Sequence, residues 1–464
     1  MLKKAPRAAR PMPDIEIEGS RDRTKLILQL MWPALAENVL STLVSMADTI
    51  MVSTLGKEAT AAVGLVTQPR FIMLAAFMAL GTGSTALVAR AKGRGDAREA
   101  NQVLRQSLIL SGAVIALLCA VMLVFCEPLI RFIAGAEISA PTIAMATDYL
   151  RVQIYGFPTL ALTFVMTACL RGAGNTRAAF YANSASNIVN VIFNYLLIGG
   201  RGGFPALGVK GASIATVLGQ IVALGFCLYL LMNGKQYITL RRQGPLRVDM
   251  TMIGRISRIG FPALLEQVIM RVGMMLFTLI ATSQGTDAYA AHIIAMNIQS
   301  LSFTTGMSFG TAATTLTGQC LGRKRVDLAQ WYVRRSLQLG AMVSVLVALI
   351  LFFFGGALGS LYNKEPLIIG YVSTVLKIVA LSNVISNSRF VYNAALRGAG
   401  DSRFTAVSTF FGILIARPLV ASLLVFVFHL GLVGVWIALI SDAVLCYILA
   451  NHRWQTGKWA HIKV

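Results

Sequence analysis

The sequence predicts an all-α membrane protein with twelve transmembrane helices in two pseudo-symmetric six-helix lobes, and three observations predict it. Of its 464 residues, 56% are hydrophobic and only 13% charged, whereas a soluble domain carries roughly 25% charged residues. Apolar runs of about twenty residues or more recur along the chain, each long enough to cross a bilayer as a helix. The second half also repeats motifs of the first at a nearly constant offset.

The runs fall near 26–53, 60–89, 104–125, 143–169, 178–199, 211–232, 259–282, 288–318, 334–356, 367–395, 404–428 and 432–451. The first follows a polar arm and is longer than the apolar core of a signal peptide, so no cleaved leader is expected. Lys plus Arg outnumber Asp plus Glu by 41 to 19, a net charge of +22. That excess lies between the apolar runs and on one side. The arm supplies Lys3, Lys4, Arg7, Arg10, Arg21, Arg23 and Lys25; alternate loops supply Arg90, Lys92, Arg94, Arg98 and Arg105, then Lys235, Arg241, Arg242, Arg247, Arg255 and Arg258, then Arg323, Lys324, Arg325, Arg334 and Arg335. A basic cytoplasmic face orients a polytopic protein, so both termini are expected inside, and the charge needs no nucleic-acid partner.

The repeat is explicit. Leu170-Arg171-Gly172-Ala173-Gly174-Asn175-Thr176-Arg177 returns as Leu396-Arg397-Gly398-Ala399-Gly400-Asp401-Ser402-Arg403, an offset of 226 residues. Pro33-Ala34-Leu35-Ala36-Glu37-Asn38 returns as Pro262-Ala263-Leu264-Leu265-Glu266-Gln267 at 229. Six spans per half give both halves the same direction through the membrane, a parallel repeat about an axis along the membrane normal. The expected organisation is a cytoplasmic arm (1–25), an N-lobe (26–232, spans 1–6), a basic cytoplasmic linker (233–258), a C-lobe (259–451, spans 7–12) and a cytoplasmic tail (452–464). This is transporter architecture. A channel would be expected to carry a filter element or a repeated acidic ring, and neither is present.

Ionisable groups at membrane depth are costly and need a partner or a purpose. Glu37 and Asp48 lie eleven residues apart, within about 20° of one helical face and roughly 16 Å apart along the axis. Pro33, one turn before Glu37, removes a backbone hydrogen bond and lets this helix bend. Glu37 and Glu266 are second carboxylates that either take part in coupling or pair with arginines to hold helices together. Arg70, Arg271, Arg389 and Arg417 also fall inside spans, as ion-pair or substrate-binding groups. Asn187, Asn190 and Asn194 share a face of span five, and Thr216 lies in span six; their oxygens suit a small hard cation or a helix–helix hydrogen bond.

The six cysteines form no C-x-x-C pair, which argues against a disulfide framework or zinc site, and leaves them as packing residues. His292, His429, His452 and His461 form no H-E-x-x-H motif and read as polar span-end or tail residues. A phosphate loop and a dinucleotide fingerprint are both absent, so no enzyme activity and no cofactor are expected. The power source is an ion gradient.

Pro33 followed by Ala47-Asp48-Thr49-Ile50-Met51-Val52, Ala62-Val63-Gly64, the twin Leu-Arg-Gly-Ala-Gly motifs, Gly208-Val209-x-Gly211-Ala212, Gly260-x-Pro262-x-x-x-Glu266-Gln267 and Arg417-x-Leu419 together resemble the multidrug and toxic compound extrusion (MATE) family, from about residue 26 to 450. The resemblance implies a multi-pass, monomeric drug-resistance protein of the bacterial cytoplasmic (inner) membrane. Such a protein exports cationic or amphipathic small molecules in exchange for H⁺ or Na⁺ by alternating access, with the lipid bilayer as its surroundings. Asp48 lines up with the family's first-span coupling aspartate, where Na⁺ is the one metal ion expected. Asn190, Asn194 and Thr216 line up with the N-lobe oxygen cluster of the DinF-like branch, although Asn194 is neutral where an aspartate can stand. The acidic C-lobe positions of the NorM-like branch correspond to Met270 and Ser386, which argues against a coupling site there. The alternative within the wider superfamily is a flippase or exporter of lipid-linked saccharide or another anionic amphiphile, for which intramembrane arginines suit phosphate.

Overall fold

The structure is a computed structural model that describes residues 15–16, 19–135, 138–241 and 247–462. Lys3, Lys4, Arg7 and Arg10 of the arm and Arg242 of the linker lie outside the described residues. Twelve long helices make up the described fold: α1 (Ser20–Ser53), α2 (Lys57–Gly93), α3 (Ala97–Ala134), α4 (Ala140–Gly172), α5 (Thr176–Ile198), α6 (Gly208–Met232), α7 (Met250–Thr282), α8 (Thr286–Gly322), α9 (Val326–Ser360), α10 (Pro366–Gly398), α11 (Ser402–Val427) and α12 (Gly431–Gln455). Ten of them are long and apolar enough to cross a membrane. The other two, α5 and α8, are diluted by side chains such as Asn183, Asn187, Asn190 and Asn194, and Gln299, Ser300, Ser302 and Thr304. Several helices overrun the apolar runs; α2 continues through Arg90 and Lys92, and α7 already begins at Met250.

The chain divides into two compact units, one of residues Ala36–Ser257, the other of Ile15–Leu35 with Arg258–Val464. The boundary within α1 lies two residues after Pro33, which is inside the helix. Within the first unit α4 is the hub, packed on α2, α3 and α6. In the second, α10 holds the same place against α8, α9 and α12.

The repeated octapeptide explains the hub. Leu170 and Leu396 are fully buried. Gly172 and Gly398 face a backbone so closely that an added Cβ would sit 2.5 Å from the Thr85 oxygen and 2.4 Å from the Thr314 oxygen. At the same crossings Thr85 Oγ1 donates to the Ala168 carbonyl at 2.9 Å, and Thr314 Oγ1 to the Ala394 carbonyl at 2.8 Å. Gly174 and Gly400 then turn the chain with φ of 81° and 84°, the left-handed C-terminal stop that glycine favours. Asn175 starts α5 by accepting from the Ala178 N–H at 3.0 Å, an N-cap. Each octapeptide is therefore a helix–helix elbow.

One feature departs from the expected straight spans. α11 is π-helical over Phe410–Ala416 and again over Leu423–Val427, on either side of Arg417. Such wide turns are rare and accommodate an extra residue, commonly near a functional site.

Candidate functional site

In the first unit the polar face of α5 lies along α1. Asn183 Nδ2 donates to Glu37 Oε1 at 2.6 Å, Asn187 Nδ2 to Ser41 Oγ at 3.4 Å, and Asn194 Nδ2 to Asp48 Oδ1 at 2.5 Å. The three pairs share one separation in sequence, so the two helices run parallel and in register as a polar ladder. Asn190 completes the end of it. Oriented as its neighbours require, its amide donates to Asp48 Oδ1 at 2.9 Å and Oδ2 at 3.3 Å, while its oxygen faces the Thr216 hydroxyl and N–H, both at 3.2 Å. Asp48, Asn190, Asn194 and Thr216, read from the sequence as one group, do meet.

Asp48 is half-buried, and among the described residues no guanidinium forms a salt bridge with it; Arg70 lies within electrostatic reach only. Its charge is met by neutral amide donors, and Asn194 Oδ1 is buried without a partner. A carboxylate held this way is stabilised by directed hydrogen bonds and remains free to take up a small cation. That uptake, of a proton or Na⁺, would turn the amides.

The two glutamates behave differently. Arg171 Nη2 donates to Glu37 Oε1 at 2.5 Å. Arg397 Nη1 donates to Glu266 Oε1 at 2.9 Å, with Thr405 Oγ1 at 2.9 Å on Oε2 and Thr409 Oγ1 at 3.5 Å on Oε1. The partners are the arginines of the two octapeptides, not Arg70, Arg271, Arg389 or Arg417. Arg171 and Arg397 lie just beyond the apolar runs 143–169 and 367–395, and a search confined to those runs misses them. The repeat itself carried the signal, since both members of each pair recur at 229 and 226 residues. Thr409, too, stands 226 residues after Asn183.

The second unit contains a group of opposite character. Arg417 clamps Asp442 with Nε on Oδ1 and Nη2 on Oδ2, both 2.9 Å, and Arg389 Nη1 adds a third bond to Oδ2 at 2.7 Å. Asp442 is fully buried. The Arg417 guanidinium also lies 5.2 Å from the Phe277 ring centre. Phe277 stands 229 residues after Asp48, at the matching position of α7. Arg271 is exposed on the same helix. His292, expected at a span end, is instead 1% exposed and packed on Phe277 and Trp436. Among the described residues, groups of three or more His, Cys, Asp or Glu that could hold a metal are absent.

Two parallel helical units with a partly enclosed polar site define a polytopic membrane transporter. The sequence matches the family description MatE over residues 33–196 and 262–422, and the chain belongs to the MATE family. It is 30% identical to a probable multidrug resistance protein NorM of Thermotoga maritima over 94% of this chain and 93% of that one. It is 28% identical to a FAD transporter of Shewanella oneidensis over 71% of this chain and 72% of that one. The outward-facing structure of a multidrug resistance MATE family transporter of the MOP superfamily superposes with a TM-score of 0.86 at 26% identity, covering 93% and 96% of the two chains. Members of this family are transporters rather than enzymes, act on small molecules and need no cofactor. The protein is thus a multi-pass membrane transporter of the multidrug efflux family.

Proposed function

We propose that the protein is a secondary antiporter of the bacterial cytoplasmic membrane that exports cationic and amphipathic compounds in exchange for H⁺ or Na⁺, with both termini in the cytoplasm and one chain as the working unit. The lobes are residues 26–232 and 259–451, joined by the basic stretch 233–258. The observation that carries the reading is Asp48: a lone carboxylate at membrane depth, held by Asn190 and Asn194 and not neutralised by a salt bridge. A proton arriving there turns an acceptor into a donor, so the Asn194 amide must rotate or withdraw. Na⁺ would instead draw on oxygens, for which Asn194 Oδ1 is unoccupied by any protein donor. Either event loosens α5 from α1, and Pro33 is where α1 yields.

Asp48→Asn tests this in proteoliposomes loaded with a cationic dye. Efflux driven by an imposed pH or Na⁺ gradient is expected to vanish while the variant keeps its melting temperature. Undiminished efflux would remove Asp48 from the coupling step, and comparison of the two gradients identifies the ion. A second reading, export of an anionic amphiphile, is favoured by the buried guanidiniums of Arg389 and Arg417 and by the relative named as a FAD transporter.

A further inference from the structure

We propose that the second unit contains an oxyanion-binding subsite built from Arg389, Arg417 and the Trp436 indole N–H, which receives a carboxylate or phosphate carried by an aromatic amphiphile. The inference rests on the transporter reading and adds a substrate class to it.

The first observation is charge. Arg389 on α10 and Arg417 on α11 share the single carboxylate of Asp442 on α12, leaving one positive charge in excess among side chains that are 7%, 4% and 0% exposed. An arrangement meant only to join helices is complete with one guanidinium per carboxylate, because a second uncompensated cation is costly to bury. Asp442 fixes both forks, and Arg389 uses one N–H on it. Two guanidiniums held side by side suit a planar or tetrahedral oxyanion.

The second observation is an orphaned donor. Trp436 is fully buried, and its Nε1–H has no partner; His292 Nδ1, beside it, has none either. Buried indole N–H groups normally find an acceptor. Trp436 and His292 both pack on Phe277, at ring distances of 6.1 and 5.3 Å, and Arg417 lies over that same ring. Tyr289 stacks on His292 at 6.2 Å. Cationic donors next to an aromatic wall match an aromatic body bearing an acid group.

The third observation is register. Before the π-helical stretch, Asn183 and Thr409 contact the matching glutamates at an offset of 226. After it, the closest approach of Gly211 to Leu197 is repeated as Gly434 to Leu424, an offset of 227. The π stretch Phe410–Ala416 therefore absorbs one additional residue. With that residue counted, Arg417 stands at the place of Asn190, as Phe277 stands at the place of Asp48. The same corner of the fold is anionic in the first unit and cationic in the second.

The test is equilibrium binding of 1-pyrenecarboxylate, 1-pyrenyl phosphate and 1-pyrenemethylammonium to the purified full-length protein, read by fluorescence anisotropy. No gradient is applied, so loss of ion coupling leaves the readout intact. Arg389→Gln is expected to weaken an anionic probe about tenfold, the size of one lost charge-assisted hydrogen bond, and to leave the ammonium probe unchanged. Trp436→Phe, which keeps the ring and removes only the N–H, is expected to weaken the same probe several-fold and serves if Arg389→Gln fails to fold. Competition by phosphatidylglycerol would assign the oxyanion to a lipid headgroup, and its absence to a soluble amphiphile. Failure of both anionic probes to bind, or equal weakening of all three probes by Trp436→Phe, would overturn the proposal.

Discussion

Replacing Arg397 with methionine keeps an apolar stem of similar length and deletes the charge that Glu266 faces. The carboxylate, 4% exposed, would then have only the Thr405 and Thr409 hydroxyls at 2.9 and 3.5 Å. Breaking a fully enclosed ion pair by removing one partner costs about 3–5 kcal/mol. Arg397 is 24% exposed, and water screens part of that loss, which brings the expected cost to about 2 kcal/mol. For a unit of this size that corresponds to a fall in melting temperature of about 4–8 °C. The measurement is a thermal melt of the purified protein in detergent micelles, done as a double-mutant cycle with Glu266→Gln. The double variant has no stranded charge, so it should recover at least half of the loss. A coupling below about 0.5 kcal/mol, the limit at which independent sites simply add, would show that the pair does not hold α7 to the elbow. Arg171→Met should move the melt in the same direction by less, because Glu37 at 11% exposure is the wetter carboxylate.

Gly398→Ala places a Cβ 2.4 Å from the Thr314 oxygen and should cost about 1–3 kcal/mol by forcing α10 off α8; Gly64→Ala, with nothing within 4 Å, should lose none, and equal melts for the two would contradict the close crossing. Asn194→Ala removes a hydrogen bond to a charged carboxylate, so gradient-driven dye efflux should fall about tenfold; efflux at the wild-type rate would dismiss Asn194 from the site. Glu16→Gln should shift the melt by less than the equivalent of about 0.5 kcal/mol, because its contacts to Arg323 and Arg325 at 3.3 and 3.2 Å are largely exposed to solvent.

Apolar length and the alternation of charge were enough to read the twelve helices, because a bilayer leaves the chain few other ways to satisfy its backbone. The meeting of Asp48 with Asn190, Asn194 and Thr216 was also legible, since helical periodicity puts the asparagines on one face and the family resemblance names their partner. What hydropathy hides is pairing across sequence. Arg171 and Arg397 sit at the ends of apolar runs, where an arginine looks like part of the basic cytoplasmic face, yet each reaches back to a glutamate. Asp442 draws its partners from 25 and 53 residues away. The π-helical turns of α11 leave no mark in composition, because Phe410–Ala416 reads as any apolar stretch. Only a one-residue slip between the two halves betrays them.

The paired elbows also bear on how such a protein can change its range of cargo. Each junction is fixed by a glycine touching a neighbouring backbone and by an arginine reaching its own glutamate, and neither depends on Asp48, Phe277 or Arg417. Interior residues can therefore drift, even to the opposite sign of charge, while the frame that presents them stays fixed. A designer seeking altered export would leave both octapeptides untouched and randomise the inner faces of α5 and α11.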